Sequence, residues 1–431
     1  MPDAAPRSPG GGDGTTDAPI AWRIQLAVYA TGMFGNTINN VITVVMPLWA
    51  LHLGASPLMI GLVLGGRHLL TTLFSIHGGA LMDRLGTRRV LIWFATIGAV
   101  TPFLFPMMPW LWAVLILQML DGLSSSFAWM GAQAQVGRLM KGKPLYAGRL
   151  SFAVRIGHLA APLLAGLGWD VIGPWGGFAV LAVWAFGVLI AASALPRPPM
   201  VDTRRRVRPA DVMPRMGDYL DAVRMLVIPA IMLVVMASTL RMAGQGMQSS
   251  FYVVYLGGIG MTGTLIGVLL AAGSLVGFAG ALAVAPLARV MSPYWLLLGA
   301  VTGGMLCVSV TPMLGGIFLL LLVVSAIRGG AMSLAQPLMI SILAQSAGDR
   351  QGKGVGMRAT ANRLVSFVVP VIMGAVVELV GLEASFLVVG SILVACSAGI
   401  AAYLLRHPGL EGGLRARPGT GSEARTPLIG G

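Results

Sequence analysis

The chain alternates long apolar segments with short polar ones from about residue 20 to about residue 405. Most apolar segments are about 20 residues or longer, which is the length that an α-helix needs to cross a bilayer. Glycine, proline and charged residues mark the breaks between them. The pattern predicts twelve membrane-spanning helices, at residues 22–51, 57–81, 89–108, 110–137, 147–168, 175–196, 225–256, 262–288, 293–311, 314–346, 355–379 and 383–405.

The composition is that of a polytopic membrane protein. Hydrophobic residues make up 56% of the 431 residues and charged residues only 10%, which excludes a soluble enzyme, a disulfide-rich secreted domain and a disordered chain. Cys307 and Cys396 lie inside apolar segments, without further ligands at metal spacing, so neither a disulfide nor a metal site is predicted. Because no phosphate-binding loop appears either, we expect no enzyme and no cofactor, and energy from an ion gradient, H⁺ above all.

Basic residues occupy only one side of the predicted spans. They follow every even-numbered span, whereas the opposite loops contain no lysine or arginine. Lysine and arginine accumulate in cytoplasmic loops, so both termini are predicted to be cytoplasmic, as in a multi-pass protein of a bacterial-type inner membrane. The net charge of +14 therefore lies at the membrane surface. Anionic lipid, and not nucleic acid, is its expected partner.

The polar segments divide the chain into two halves. Residues 1–19 lack the order of a signal peptide and predict a disordered cytoplasmic tail, residues 197–224 a cytoplasmic linker, and residues 406–431 a second cytoplasmic tail. Residues 20–196 and 225–405 then form two six-helix bundles. A repeat supports this division: Gly148, Arg155, Pro162, Gly166, Asp170 and Gly173 recur 208 positions later as Gly356, Arg363, Pro370, Gly374, Glu378 and Gly381. The two bundles are therefore predicted to be pseudo-symmetric around a central cavity.

A motif rich in glycine and charge ends the second span. Gly79, Asp83, Arg84, Gly86 and Arg88 lie in the stretch GALMDRLGTRR, which resembles the Gly-x-Leu-x-Asp-Arg-x-Gly-x-Arg-Arg signature of the major facilitator superfamily. The resemblance implies an all-α integral membrane fold of twelve helices in two bundles, with this element acting as a gate latch. Glycine at position 86 permits a tight turn. The alternative is that these arginines only set the topology of the chain in the membrane.

The fifth span carries small residues around Pro162. The pattern Gly148, Gly157, Ala161, Pro162, Ala165 and Gly166 is similar to the antiporter signature Gly-x8-Gly-x3-Gly-Pro-x2-Gly-Gly of drug/proton exchangers in the same superfamily, with alanine at two glycine positions. The resemblance implies proton-driven export, with Pro162 bending a gating helix. Ordinary close packing would also select small residues. Those exporters usually have Arg-x-x-Gln-Gly in the fourth span, where this chain has QMLDG at 118–122.

Polar residues at helical spacing predict a wet cavity between the halves. Ser238, Arg241, Gln245, Gln248, Ser249 and Tyr252 form a stripe on the seventh span; Gly32, Asn36, Asn39, Asn40 and Thr43 form another on the first; and Arg67, Thr71 and Ser75 form a shorter one on the second. We expect Asn36, Asn40, Arg67, Arg241, Gln245, Gln248 and Arg328 to contact substrate. The alternative for Arg241 is pairing with Asp121 or with backbone carbonyls.

Ionisable residues inside spans are costly and therefore candidates for function. Asp121 is the only acid predicted deep within a span, and a moving arginine would change its proton affinity, so we expect a protonation switch there. A permanent Asp121–Arg328 ion pair is the alternative. His158 is a candidate second proton site or a packing residue. The repeat-related Arg155 and Arg363 are expected at a gate.

Two further acids lie near the ends of predicted spans, where water is accessible. Asp170 and Glu378 occupy equivalent positions of the repeat at the predicted outer ends of spans five and eleven. We expect both carboxylates to be solvated.

These features predict a secondary transporter that acts by alternating access. The leading expectation is proton-coupled export of a small, amphiphilic, anionic organic solute, with the protein as a monomer. Uptake of an organic anion, such as a siderophore-like compound, by symport or exchange is the second expectation. A receptor or scaffold on the same fold is the third, and it would tolerate substitution of Arg241 or Asp121 but not changes in the linker 197–224.

Overall fold

The computed structural model describes residues 20–140, 144–196, 225–347 and 351–407. The predicted tail 1–19, the linker 197–224 and residues 408–431 of the second tail lie outside the described residues. Within the described ranges all regular structure is helical. The twelve long helices are α1 Trp22–His52, α2 Pro57–Leu85, α3 Thr87–Met107, α4 Leu111–Leu139, α5 Pro144–Ile172, α6 Pro174–Ala194, α7 Pro229–Gly258, α8 Gly263–Val290, α9 Pro293–Ser309, α10 Phe318–Ala347, α11 Gln351–Val380 and α12 Leu382–Leu405.

The length and polarity of these helices confirm the all-α membrane fold. Ten of them are long and apolar enough to cross a bilayer, and α9 is a shorter apolar helix of 17 residues. The remaining helix, α1, has 31 residues, and the asparagines near its middle lower its hydropathy. The predicted spans agree with the helices to within a few residues at most ends. The second and fifth helices are longer than predicted because their polar ends continue the helical backbone.

The outer surface of the helices is apolar. Ile190, Leu319 and Leu379, for example, are 68%, 65% and 83% exposed. Large side chains such as Phe105, Phe178 and Phe251 are fully buried between the helices. Because the hydrophobic effect would oppose so much apolar exposure to water, the exposed faces are suited to lipid.

Several helices are joined by a single glycine. Gly86 joins α2 to α3 with φ 85°, and Gly173 and Gly381 join the last two helices of each half with φ 69° and 84°. Backbone with positive φ favours glycine, because other residues would bring Cβ against the carbonyl oxygen. The predicted tight turn at Gly86 is therefore present. Gly173 and Gly381 share this conformation at equivalent positions of the repeat.

The helix ends lie on two faces of the molecule. We call the face where α1 begins and α12 ends the terminal face, and the face with connections 53–56, 108–110, 173, 259–262, 310–317 and 381 the distal face. We call α1–α6 the N half and α7–α12 the C half. At the distal face, the two halves meet along two lines of helix contact, which we call the α5–α8 seam and the α2–α11 seam.

At the α5–α8 seam the two backbones are in contact. A side chain at Gly267 would collide with the carbonyl of Pro162, and one at Gly166 with the carbonyl of Gly263. Asp170 then accepts hydrogen bonds from the backbone amides of Gly263 and Thr264, each at 2.7 Å. Asp170 is exposed, as predicted, and its carboxylate also pairs with the free amides at the N-terminus of α8, a contact that was not predicted.

The α2–α11 seam is built in the same way. A side chain at Gly61 would meet the carbonyl of Pro370, and one at Gly374 would meet the carbonyl of Pro57. Glu378 is exposed, as predicted. The distal face is thus closed by backbone contact on both sides.

Candidate functional site

A cavity of about 800 Å³ lies between the two halves. Its lining reaches from the middle of the helices toward the terminal face, to Trp129 on α4 and Ala281 on α8. The two seams close the distal face. The volume suits a small organic molecule. The cavity is therefore placed to receive a solute from the terminal face.

Polar side chains of the N half line one wall. Asn36, Asn39 and Asn40 of α1 contribute carboxamides, and Arg67 and His68 of α2 contribute charge and an imidazole. Five further polar residues of this half belong to the lining, namely Thr43, Gln118, Ser151, Arg155 and His158. The predicted stripe of α1 therefore faces the cavity.

The C half contributes a connected polar wall. Arg328 Nη2 on α10 donates to Gln245 Oε1 on α7 at 3.3 Å, and Gln245 Nε2 donates to Gln248 Oε1 at 3.5 Å. Arg241 lies one turn earlier on α7 and also lines the cavity. Gln248 begins the π-helical segment Gln248–Tyr252, a local widening often found at functional sites. The stripe predicted on the seventh span thus lies mostly in the cavity wall, although Ser238 instead donates to Asn362 on α11.

The charge of the cavity is basic. Among the described residues, its lining contains four arginines and no aspartate or glutamate; the arginines are Arg67, Arg155, Arg241 and Arg328. Arg241 and Arg328 belong to the C half, and the described residues include no acidic partner within salt-bridge distance of either. A low-dielectric cavity with this charge attracts anions and repels cations.

Asp121 is paired within the N half. Its Oδ2 lies 3.6 Å from Nη2 of Arg67, and both side chains are almost completely buried. A side chain at Gly122 would collide with the backbone of Arg67, so this glycine lets α4 approach α2 closely enough for the pair to form. The alternative predictions, pairing of Asp121 with Arg328 or with Arg241, are wrong in this conformation.

Several buried polar atoms next to this pair lack a hydrogen-bond partner among the described residues. They are Nη1 of Arg67, both carboxylate oxygens of Asp121, and both amide atoms of Gln118. Arg67 Nη2 makes one further hydrogen bond, to Ser125 Oγ at 3.3 Å. In folded proteins nearly all buried polar groups are paired, so such unpaired groups require an explanation.

The two repeat-related arginines cross from one half to the other. The guanidinium of Arg155 on α5 lies 5.0 Å from the ring centre of Phe278 on α8, a cation–π geometry. Arg363 Nη1 on α11 donates to the carbonyl of Thr71 on α2 at 3.3 Å. Both arginines therefore contact the opposite half, where the predicted gating role requires them. Pro162 also lies at an interface of the halves, in the α5–α8 seam.

The motif at the end of α2 is described only in part. The side chains of Asp83 and Arg84, and the surroundings of Gly79, lie outside what the structure describes. Arg88 donates to the carbonyls of Ser193 and Leu195, each at 2.7 Å. It thus binds the unpaired carbonyls at the C-terminal end of α6, within its own half.

Several polar cavity residues were not predicted as site residues, among them His68, Gln118, Ser274, Ser333 and Gln336. Gln118 was noted only as part of a departure from a motif. The spacing of Gln118 and Asp121, one helical turn apart, was the signal that could have grouped them. No group of three or more potential metal ligands occurs in the described part of the chain.

Comparison with known families identifies the class of protein. The sequence model of the Major Facilitator Superfamily matches residues 27–310 and 234–430. These matches cover nearly the whole chain, so the chain belongs to the Major Facilitator Superfamily and is a transporter, not an enzyme. No protein in the curated sequence collections matches it significantly.

Solved transporter structures share the fold at low sequence identity. A mutant of the nucleoside transporter NupG has a TM-score of 0.74 at 13% identity, with 88% of this chain and 99% of that chain covered. A bacterial homologue of the human lysosomal transporter Spinster, in an inward-facing and unoccupied conformation, has 0.63 at 16%, covering 90% and 95%. A POT family transporter in complex with 5-aminolevulinic acid has 0.66 at 13%, covering 90% and 96%. These similarities establish the fold.

Proposed function

We propose that this transporter moves a small organic anion across the membrane by alternating access. The observation that carries the proposal is the cavity between the halves, with arginines from both halves and no acid in its described lining. Arginine in the middle of a membrane costs several kcal/mol unless it is paired or hydrated. A bound anion would supply the missing countercharge.

The closed distal seams and the cavity toward the terminal face support alternating access. Such a transporter exposes its site to one side of the membrane at a time, by rocking one bundle against the other. The basic residues next to the terminal face favour a cytoplasmic location for it, in a bacterial-type inner membrane, with anionic lipid at its surface. Because one chain encloses the whole cavity, we propose a monomer.

Asp121 is the proposed site of proton coupling. In the ionised state it holds Arg67 in an ion pair. Protonation would remove this attraction and release the guanidinium toward an anionic solute, so the proton and the anion would favour each other's binding. This geometry favours movement of both in the same direction. Export in exchange for protons is the second candidate, and the antiporter-like residues around Pro162 favour it.

The proposal is tested with purified protein in proteoliposomes. Uptake of benzoate and of dicarboxylates is compared with uptake of an organic cation such as tetraethylammonium, with and without a proton gradient. We expect saturable anion transport, its loss in Arg241→Gln, and loss of proton coupling in Asp121→Asn. The exposed Glu378 supplies a matched control, because Glu378→Gln removes an acid outside the cavity.

The outcomes separate the candidates. Anion accumulation driven by a proton gradient in the same direction supports cotransport, whereas accumulation driven by the opposite gradient supports exchange. Preferential transport of the cation, or transport unchanged in Arg241→Gln, would overturn the proposed anion specificity.

A further inference from the structure

Gln118 is a fully buried carboxamide in the wall of the cavity. It lies on α4, one helical turn before Asp121, and its side chain is 0% exposed. Neither its oxygen nor its nitrogen has a hydrogen-bond partner among the described residues. A carboxamide has two donor hydrogens and an acceptor oxygen. An amide buried without partners is costly, so in this position it needs a partner that enters from the cavity.

Gln118 has apolar neighbours on α4. Leu115 and Met119, its neighbours on α4, face α2, where they would contact a side chain placed at Gly66. An apolar side chain of the same length would fill this site without any loss of hydrogen bonds. The nearby Arg67 and Asp121 also have unpaired donor and acceptor atoms. Unpaired donors and acceptors thus lie together on α2 and α4.

The two walls of the cavity differ in charge. In the N half, the ion pair with Asp121 balances Arg67. Arg155 lies on α5 with its guanidinium over the ring of Phe278 on α8, whereas Gln118 lies on α4. In the C half, Arg328 is bonded to the neutral Gln245, and Nε of Arg241 has no hydrogen-bond partner among the described residues. The uncompensated positive charge near Arg241 and Arg328 therefore belongs to the C half, whereas the wall around Gln118 is close to neutral but rich in hydrogen-bonding atoms.

We infer that Gln118 forms a subsite for an uncharged part of the solute that both donates and accepts hydrogen bonds, such as a carboxamide or a hydroxyl group. The inference rests on the proposed function, because Arg241 and Arg328 then hold the anionic group. The solute lies across the cavity, with its anion toward the C half and its polar group toward the N half. Its preferred class is a polar anion, in contrast to the amphiphilic anion expected from the sequence.

The first test separates a binding role from a structural one. Gln118→Met keeps the length of the side chain and removes both unpaired atoms. In the absence of solute, we expect the thermal unfolding temperature of the purified protein to stay the same or rise, because the variant loses an unsatisfied group. A clear fall in this temperature would show that Gln118 has a structural partner, and it would overturn the inference.

The second test uses a pair of anions that differ only in their neutral end. Wild type is expected to bind 4-carbamoylbenzoate at least about tenfold more tightly than 4-methylbenzoate, as measured by competition in proteoliposomes or by calorimetry. Gln118→Met is expected to remove this preference and to keep the affinity for 4-methylbenzoate. The matched control is Gln336→Met, because Gln336 lines the same cavity but is exposed. It should keep the preference.

The results distinguish the two proposals. Equal affinities of wild type for the two benzoates, or a preference that persists in Gln118→Met, would overturn the Gln118 subsite and leave the anion proposal standing. If wild type binds neither benzoate and transports neither, the proposed anion function fails, and the subsite fails with it.

Discussion

The α5–α8 and α2–α11 seams share a plan at the distal face but differ in one contact. In both, a proline carbonyl of one half lies against a glycine of the other, Pro162 against Gly267 and Pro370 against Gly61. In both, a hydroxyl side chain caps the facing helix, Ser56 on α2 and Thr262 on α8. Only the α5–α8 seam adds a carboxylate, since Asp170 accepts from two amides of α8.

The reason for the difference lies in the residue that faces the acid. Glu378 corresponds to Asp170 in the repeat, and Pro57 lies against Gly374 as Gly263 lies against Gly166. Proline has no amide hydrogen, so α2 lacks one of the two donors that α8 presents. Both carboxylates are exposed, but among the described residues only Asp170 accepts hydrogen bonds from the facing helix. The repeat thus preserves the packing of the seams, but the charged contact is present on one side only, so we expect the α5–α8 seam to resist opening more strongly.

The largest effect is expected from a side chain placed inside a seam. Gly166→Val brings a branched side chain against the backbone of Gly263, so the seam must separate. We expect the transport rate to fall at least about 100-fold, because a displacement of about 1 Å in a functional site can already lower a rate by that factor. Spin labels at positions 172 and 259 should move apart. Gly148→Val is the control, because a side chain there meets nothing within 4 Å; an equal loss in both variants would contradict the seam explanation.

Removal of the charge at Asp170 is expected to have the next largest effect. Asp170→Asn keeps one acceptor oxygen but loses the attraction of a carboxylate for the helix N-terminus, a change worth about 1 kcal/mol because Asp170 is exposed. The population open at the distal face should rise about fivefold, measured from the same label distances. Glu378→Gln should leave it unchanged. A similar shift in both variants would show that the seams are equivalent.

A transplant of the contact tests the comparison in the opposite direction. The double variant Pro57→Gly with Glu378→Asp copies the residues of the α5–α8 seam into the α2–α11 seam. We expect a second carboxylate cap and a distal-open population lowered by about threefold, since glycine in a helix also costs about 0.5–1 kcal/mol. Glu378→Asp alone is the control, because its shorter carboxylate still faces Pro57, which has no amide hydrogen. If the double variant opens as readily as this control, the missing amide is not the reason for the difference.

The smallest effect is expected from the contacts of the two repeat-related arginines. Arg155→Gln removes a cation–π contact and Arg363→Gln a hydrogen bond to the carbonyl of Thr71. Each contact is worth about 0.5 kcal/mol, because Arg155 is exposed and the hydrogen bond of Arg363 is long at 3.3 Å, so each variant should change the distal-open population by about twofold. Label distances report the change. No change in either variant would limit these arginines to a role in the electrostatics of the cavity.

The helices and the polar stripes were accessible to sequence reasoning because they depend on local periodicity. The first span was predicted at 22–51 and is Trp22–His52, and the asparagines of that span line the cavity. The repeat was visible in α5 and α11 at a spacing of 208. The corresponding repeat between α2 and α8 was not visible in the sequence. Its glycines, Gly61 and Gly267, are 206 positions apart and not 208, and few other residues match.

The partners of the charged groups could not be predicted from local periodicity. From the sequence, several arginines of other spans were possible partners of Asp121. The pairing with Arg67 depends on the close approach of α4 to α2 at Gly122. Asp170 stood at the end of a span, a position typical of a solvated acid, and only the arrival of α8 gave it two amides. Such contacts join residues that are distant in the chain.

The sequence by itself determined the membrane-spanning class, the number of helices, the division into related halves and the basic character of the cavity. Each follows from apolar length, helical period or the count of charges, which are properties of a segment alone. Only the tertiary structure decided which arginine Asp121 holds, that the amide of Gln118 has no partner among the described residues, and which of two similar seams carries a charged cap. These outcomes depend on which helix faces meet, and contacts of a few ångströms between distant segments decide them.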